Sequence, residues 1–361
     1  MRVGITSYPM LFQRDGGLQV QLRETMSALR RLPCAAARPI QVELIEASRT
    51  DLAEYDLVHI FSVINGNHRI AEAAAEAGVP LIISPLVQPG WDRAWGRRAR
   101  LADRVLGSLT RWQVQSTYAH MRTALELAHE VIALGEAERR AIIEAFQIDG
   151  RKVRIIPNGI SSQFHGADGD LFRARTGIVT PFVLMVGAIS PYKNQLGLAM
   201  ALADLGLPLV LIGDACEADQ GYLMQVRSMR ALSWLGPLAH TDPLLASAYG
   251  AASVFALPSQ GEVMPLAALE ALAAGTPVVL TRASALCLPD SDFALKRVAW
   301  DDGAAQRRAV MALVSHPPAR ERVRALVRDL TWDAVAIQLG ACYGELVHRQ
   351  SRRAGPVCDA A

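Results

Sequence analysis

Residues 253–281 run SVFALPSQGEVMPLAALEALAAGTPVVLT. SVFAL and PVVLT are short β-branched, aromatic and aliphatic runs bounded by turn formers, which predicts two buried strands. Between them, residues 265–274 are almost all strong helix formers. Pro265 stands where a first helical residue would, and Gly275 where a C-terminal cap would. Strand, helix and strand at this length predict a βαβ unit with parallel strands. Ligands of such sheets bind beyond the carboxyl ends of the strands. The loop 258–262 leaves the first strand at that edge.

Two carboxylates lie there. Glu262 is in the loop, and Glu270 is in the helix among Leu266, Leu269, Leu272 and several alanines. A charge in so apolar a run is costly unless it is paired or hydrogen-bonded. One reading turns Glu270 to solvent or pairs it with a distant arginine. The other has both carboxylates accepting hydrogen bonds from a polyol, because an ionised carboxylate offers two acceptor oxygens to vicinal hydroxyls.

The pattern P-S-x-x-E, seven residues, a second Glu and then A-x-A-x-G-x-P-V-V resembles a known donor-site signature. It is that of the retaining GT-B-fold glycosyltransferases of the family 4 type. The resemblance implies an α/β chain of two Rossmann-like, doubly wound domains facing across a cleft. It also implies Glu262 at the donor sugar, with Val263, Met264 and Leu266 beside it, and Glu270 on the nucleotide ribose.

Composition is consistent with this. A chain of 361 residues favours two domains, and 51% apolar residues suffice for two cores. A net charge of +2 gives no global basic field for nucleic acid. Cys34, Cys216, Cys287, Cys342 and Cys358 are scattered without a C-x-x-C pair, which fits reduced thiols in a cytoplasm. The opening residues read as a strand rather than a signal peptide, which disfavours a periplasmic binding protein. No apolar run approaches the ~20 residues of a membrane span.

Taken in order, VGITSYP is a strand, and Gly16-Gly17 precedes a helix running to about Leu32. A Gly pair there lets backbone amides approach an anion, though a plain tight turn is an equal reading. The resemblance implies contact with the donor diphosphate. IQVELIEA, DLVHIFSV and PLIISP are further strands. His59, inside DLVHIF, is either a core histidine or an acceptor-side cleft residue, and Asn65 follows at the strand's end. The histidine that many relatives carry after the PLIIS strand is missing here. Residues 91–112 stand apart: Arg93, Arg97, Arg98, Arg100, Arg104 and Arg111 face only Asp92 and Asp103, with Trp91, Trp95 and Trp112 among them. This is either a solvated basic helix or a peripheral contact with an anionic membrane or lipid diphosphate. EVIAL and 152–160, which matches the family's I-P-N-G segment, close the first domain.

The second domain opens on PFVLMVG, ending at Gly187. Lys193, at the mouth of a helix starting near Asn194, suits a diphosphate. Relatives pair this lysine with an arginine, where Ala188 stands here. The family's E-G-F-G is Glu262-Val263-Met264-Pro265, so Pro265 removes one backbone donor. These departures keep a sugar-nucleotide-binding protein without turnover as the alternative. The tail from Thr331 predicts an amphipathic helix with Ala336, Leu339, Tyr343 and Leu346 or Val347 inward, crossing back to the first domain as relatives do.

The expected layout is therefore an acceptor domain over 1–165, a linker from 166 to about 180, a donor domain over 178–330 and a returning helix over 331–350. The expected activity moves a sugar from a nucleoside-diphosphate-sugar to a hydroxyl of a glycan or lipid-linked acceptor, in bacterial polysaccharide or glycolipid synthesis. Lys193 and Glu262 are the expected catalytic groups. Neither a cofactor nor a metal is expected, since no D-x-D or His/Cys ligand spacing appears. The expected place is the cytoplasm, at the inner face of the membrane.

Overall fold

The computed structural model describes residues 1–13, 16–32, 39–88, 90–110 and 115–353. Cys34, Cys358, Arg111 and Trp112 lie outside these. The chain forms two compact units. One is Met1–Gly159 with the C-terminal helix Trp332–Arg353, and the other is Ile160–Thr331.

The first unit is built on a six-stranded parallel sheet. Its strands are β1 (Arg2–Thr6), β2 (Gln41–Leu44), β3 (Leu57–Phe61), β4 (Leu81–Ser84), β5 (Glu130–Ala133) and β6 (Val153–Ile155), in the order β2-β1-β3-β4-β5-β6. The second unit holds β7 (Val183–Val186), β8 (Leu209–Ile212), β9 (Leu232–Trp234), β10 (Val254–Leu257), β11 (Val278–Thr281) and β12 (Leu295–Val298). Their order is β12-β11-β10-β7-β8-β9, again all parallel. Each sheet reverses its strand order once, between β1 and β3 and between β7 and β10. Ligand crevices of such sheets lie at that switch point, outside the carboxyl ends of the two strands.

The βαβ stretch folds as β10, the helix Leu266–Ala274 and β11. Pro265 is the residue before that helix, at φ −68°, rather than its first residue. Gly275 closes it at φ +86°, donating its N–H back to Ala271 and Leu272. The expected linker needs correction. Phe164 and Phe172 are fully buried in the second core, and Gly169 packs so closely on Ala251 that a Cβ would lie 2.6 Å from its Cα. The units divide instead between Gly159 and Ile160. The final helix buries Ala336, Leu339, Tyr343 and Leu346 within the first unit. Its Arg349 pairs with Glu130, and its Glu345 lies 2.6 Å from Arg154.

His59 sits at the centre of β3, fully buried, with Nδ1 2.7 Å from the Tyr343 hydroxyl and Nε2 2.9 Å from Ser84 Oγ. It is a core histidine that ties the last helix to the sheet, and the acceptor-side reading is corrected accordingly. Burial lowers its pKa to about 3. The unfolded chain takes up that proton near pH 6.5 while the native state does not. Stability is therefore intact above pH 6.5 and falls as pH drops from there toward 3, by roughly 3–5 kcal/mol at the limit. Glu138 acts in the opposite sense. It is fully buried, accepts from the Val87 and Leu134 amides at 2.7 Å each, and burial pushes it up to about 7. Its contribution is present below pH 4.5 and is lost as pH rises through 7. Urea unfolding of His59→Gln beside the wild type isolates the histidine's share. The variant is expected to lose less stability between pH 7 and pH 4.5; equal slopes would contradict a neutral buried imidazole.

Candidate active site

Two loops meet at the switch point of the second sheet. The first leaves β7 at Gly187, whose φ is +147°, and leads to Asn194. It runs so close to the loop after β8 that a Cβ on Gly213 would lie 2.0 Å from the Gly187 carbonyl oxygen. Gln195, fully buried, pins this turn by donating from Nε2 to the Ala188 carbonyl at 2.8 Å. Asn194, at φ +64°, donates its side-chain amide to the Trp300 carbonyl.

The second loop leaves β10. Glu262 pairs there by backbone with the segment after β11, donating to the Ala283 carbonyl at 2.8 Å and accepting from Ala285 at 3.0 Å. The two loops are stapled three ways. The Gln260 amide donates to the Tyr192 carbonyl at 2.9 Å, the Tyr192 hydroxyl donates to the Gly261 carbonyl at 2.7 Å, and Lys193 Nζ lies 2.5 Å from Glu262 Oε1. Ser259 Oγ donates to the same oxygen at 2.6 Å. The side chains of Lys193 and Glu262 are 23% and 12% exposed, so the ion pair is largely but not wholly withdrawn from water. Burial and the Glu262 charge raise the Tyr192 pKa, keeping its hydroxyl a donor. Val263, Met264 and Leu266 are half-buried and lead into the first turn of the helix Leu266–Ala274. First-turn amides of a helix have no partner within it.

Glu270 does not face solvent. Its side chain is 7% exposed. Oε1 lies 3.0 Å from His240 Nε2, and Oε2 accepts from the Tyr249 hydroxyl at 2.8 Å. Tyr249 is fully buried, and burial raises its pKa well above 10, so it holds its proton and donates. The carboxylate is thus fixed at both oxygens, and each keeps lone-pair capacity for a further donor. Gln163 donates to the His240 carbonyl and fixes the loop after β9 in turn. Neither His240 nor Tyr249 stands out in the sequence. Tyr249 lies in a short apolar helix and His240 in a loop 30 residues from its partner.

In the first unit the loops after β1 and β3 flank the other switch point. Gly16 precedes the helix Gly17–Arg31 with φ −175°, an extended conformation open to any residue. A Cβ at either glycine would meet nothing within 4 Å. Asn65 is exposed at φ +58°, while the neighbouring Asn67 is buried and donates to the Phe61 and Ser62 carbonyls. His68 and His120 stack with ring centres 3.9 Å apart. Among the described residues no group of three or more His, Cys, Asp or Glu could hold a metal ion.

The family model for a glycosyl transferase 4-like domain matches residues 10–159, and that for glycosyl transferases group 1 matches residues 180–297. A D-inositol 3-phosphate glycosyltransferase of Segniliparus rotundus is 27% identical over 59% of this chain and 51% of its own length. The UDP-Gal:alpha-D-GlcNAc-diphosphoundecaprenol alpha-1,3-galactosyltransferase of Escherichia coli is 28% identical over 66% of this chain and 61% of its own. The chain spans about half the length of the first curated relatives it matches. The crystal structure of Anabaena HepE with UDP superposes with a TM-score of 0.70 at 18% identity, covering 96% of this chain and 100% of that one. With the two family models taking in about three quarters of its residues, the chain belongs to the GT-B glycosyltransferases of the family 4 type.

Proposed function

We propose that the protein is a retaining, metal-independent glycosyltransferase. It takes a sugar from a nucleoside-diphosphate-sugar to a hydroxyl of a lipid-linked glycan acceptor, in bacterial polysaccharide or glycolipid assembly at the cytoplasmic side of the membrane. The observation that carries this is the pair of carboxylates at the second switch point. Glu270, held at both oxygens, accepts from the two ribose hydroxyls, and Glu262 meets the sugar. The E. coli relative's name specifies a UDP-sugar donor and a diphosphate-lipid acceptor, and the Anabaena structure holds UDP, which supports the donor class.

In the reaction the bond from the anomeric carbon to the diphosphate oxygen breaks and a bond to the acceptor oxygen forms on the same face. The acceptor proton passes to the departing phosphate oxygen, so no side-chain base is required. Negative charge grows on the diphosphate as its bond lengthens. Lys193 and the first amides of the helix Leu266–Ala274 stabilise it without reorganising water. Lys193 leaves or shares its contact with Glu262 when the diphosphate arrives, and Glu262 is then free to accept from sugar hydroxyls. In the alternative reading, favoured by Ala188 and by Pro265 at the helix start, the donor binds without turnover.

Calorimetric titration with UDP, GDP, ADP and dTDP, followed by transfer assays with the matching sugars and a polyprenyl-diphosphate-linked sugar, separates these readings. Binding with transfer supports the enzyme, binding alone supports the alternative, and no binding of any nucleotide contradicts both. Excess EDTA is expected to leave turnover unchanged, and a metal requirement would contradict the role given to Lys193.

A further inference from the structure

The helix Arg93–Thr110 has three distinct faces. One face is committed to the first unit's core. Gly96 lies so close to the helix Glu136–Phe146 that a Cβ would stand 2.3 Å from the Ala145 carbonyl oxygen, and Ala99 and Gly107 are buried beside it. Trp91, just before the helix, packs inward with its ring 5.0 Å from that of Phe146. Arg100 is a structural arginine, donating to the Ala145 carbonyl at 2.8 Å and to the Tyr118 hydroxyl at 3.2 Å. Asp103 is occupied by Ser116 at 2.8 Å.

The opposite face is largely bare: of its apolar side chains, Trp95 packs on the Trp91 ring with centres 4.6 Å apart. Trp95 is 51% exposed, Leu101 64%, Val105 52% and Leu109 78%. Leu101, Val105 and Leu109 stand at i, i+4 and i+8, one above another along about 12 Å of helix, and at 100° per residue Trp95 falls on the same side. Scattered exposed apolar residues are ordinary, but a continuous row of them marks an interaction surface. Arg93, Arg97 and Arg104 line one flank of this row, and Arg98 lies within it. All four are exposed, and none makes an ion pair with a described residue.

We propose that this face seats the protein on an anionic phospholipid bilayer, with Trp95, Leu101, Val105 and Leu109 entering the headgroup boundary and the arginines on lipid phosphates. A helix with an apolar arc and a basic flank is the geometry of interfacial binding. Charge selects this occupant over a second copy of the chain. A two-fold contact through the same face would set one arginine row against another. The proposal rests on the reading of a lipid-linked acceptor, whose substrate such seating would bring within reach, but it is tested without donor or acceptor.

The full chain is sedimented with vesicles of phosphatidylcholine alone and of phosphatidylcholine with an equal part of phosphatidylglycerol. The wild type is expected to pellet with the anionic vesicles and to be released by high salt. Arg97/Arg98/Arg104→Gln is expected to lower partition onto anionic vesicles about 100-fold, at about fivefold per charge. Leu101/Leu109→Gln is expected to weaken partition onto both vesicle types. Circular dichroism and thermal unfolding confirm that the variants fold, and their UDP affinity is expected to equal the wild type's. A wild type that stays in the supernatant with anionic vesicles overturns the proposal, as does a triple variant that pellets like the wild type. Dimerisation abolished by Leu101/Leu109→Gln, without vesicle binding, assigns the face to a second copy instead. Vesicle binding by a protein that binds no nucleotide leaves this proposal standing and removes the donor reading.

Discussion

Glu270→Ala is expected to weaken nucleoside-diphosphate binding by about 10- to 150-fold, the equivalent of roughly 1.5–3 kcal/mol for hydrogen bonds to a charged acceptor. The alanine also strands the buried Tyr249 hydroxyl and takes one partner from the His240 imidazole. An unsatisfied buried donor costs about 1–3 kcal/mol, so lower stability accompanies the lost affinity. Glu270→Gln separates the two effects. Its amide oxygen still accepts from Tyr249 while the charge that strengthens the ribose bonds is gone. The glutamine variant is expected to melt near the wild-type temperature yet bind nucleotide at least several-fold more weakly. Wild-type affinity in both variants, measured by calorimetry on folded protein, would confine Glu270 to a structural role.

Lys193→Ala is expected to lower kcat by about 100- to 1,000-fold, the range for removing one preorganised group that meets charge growing in a transition state. Donor affinity is expected to change much less, because that charge is smaller in the ground state. The position has little redundancy, since Ala188 stands where relatives supply a second cation. Removing the amine leaves Glu262 with only Ser259 at the oxygen that both now share. Single-turnover rates set against donor affinity decide the matter. Equal losses in both would make Lys193 a binding group, and no loss in either would return it to a purely structural pair with Glu262.

The βαβ stretch was legible because its strands, helix and end signals agree with one another. Glu270 stood out as a charge in an apolar run, and Glu262 through the motif that the loop 258–262 shares with the family. Their surroundings were not legible. Lys193 and Glu262 are 69 residues apart and Glu270 and His240 are 30 apart, and nothing local marks a contact made across a sheet edge. His59 stayed ambiguous because β3 is buried on both faces, so alternation along the strand carries no sense of inside and outside. β12, LKRV, escaped notice because Lys296 and Arg297 break the apolar run, as charges on an edge strand do. The run 166–177 resembled a linker by composition, yet the two phenylalanines near it, Phe164 and Phe172, anchor it in the second core. In residues 91–110 composition showed the basic and aromatic excess. Only the structure sorted the members, committing Trp91 and Arg100 inward and leaving Trp95, Arg97, Arg98 and Arg104 exposed.

The proposed reaction transfers a sugar with retention, from a nucleoside-diphosphate-sugar held at the second switch point. Proton NMR of the reaction product, made with the nucleotide sugar that titration selects, tests it most directly. The expected result is release of the nucleoside diphosphate together with a glycoside whose anomeric configuration matches that of the donor. A product of inverted configuration, or no product from any donor that binds, would contradict it.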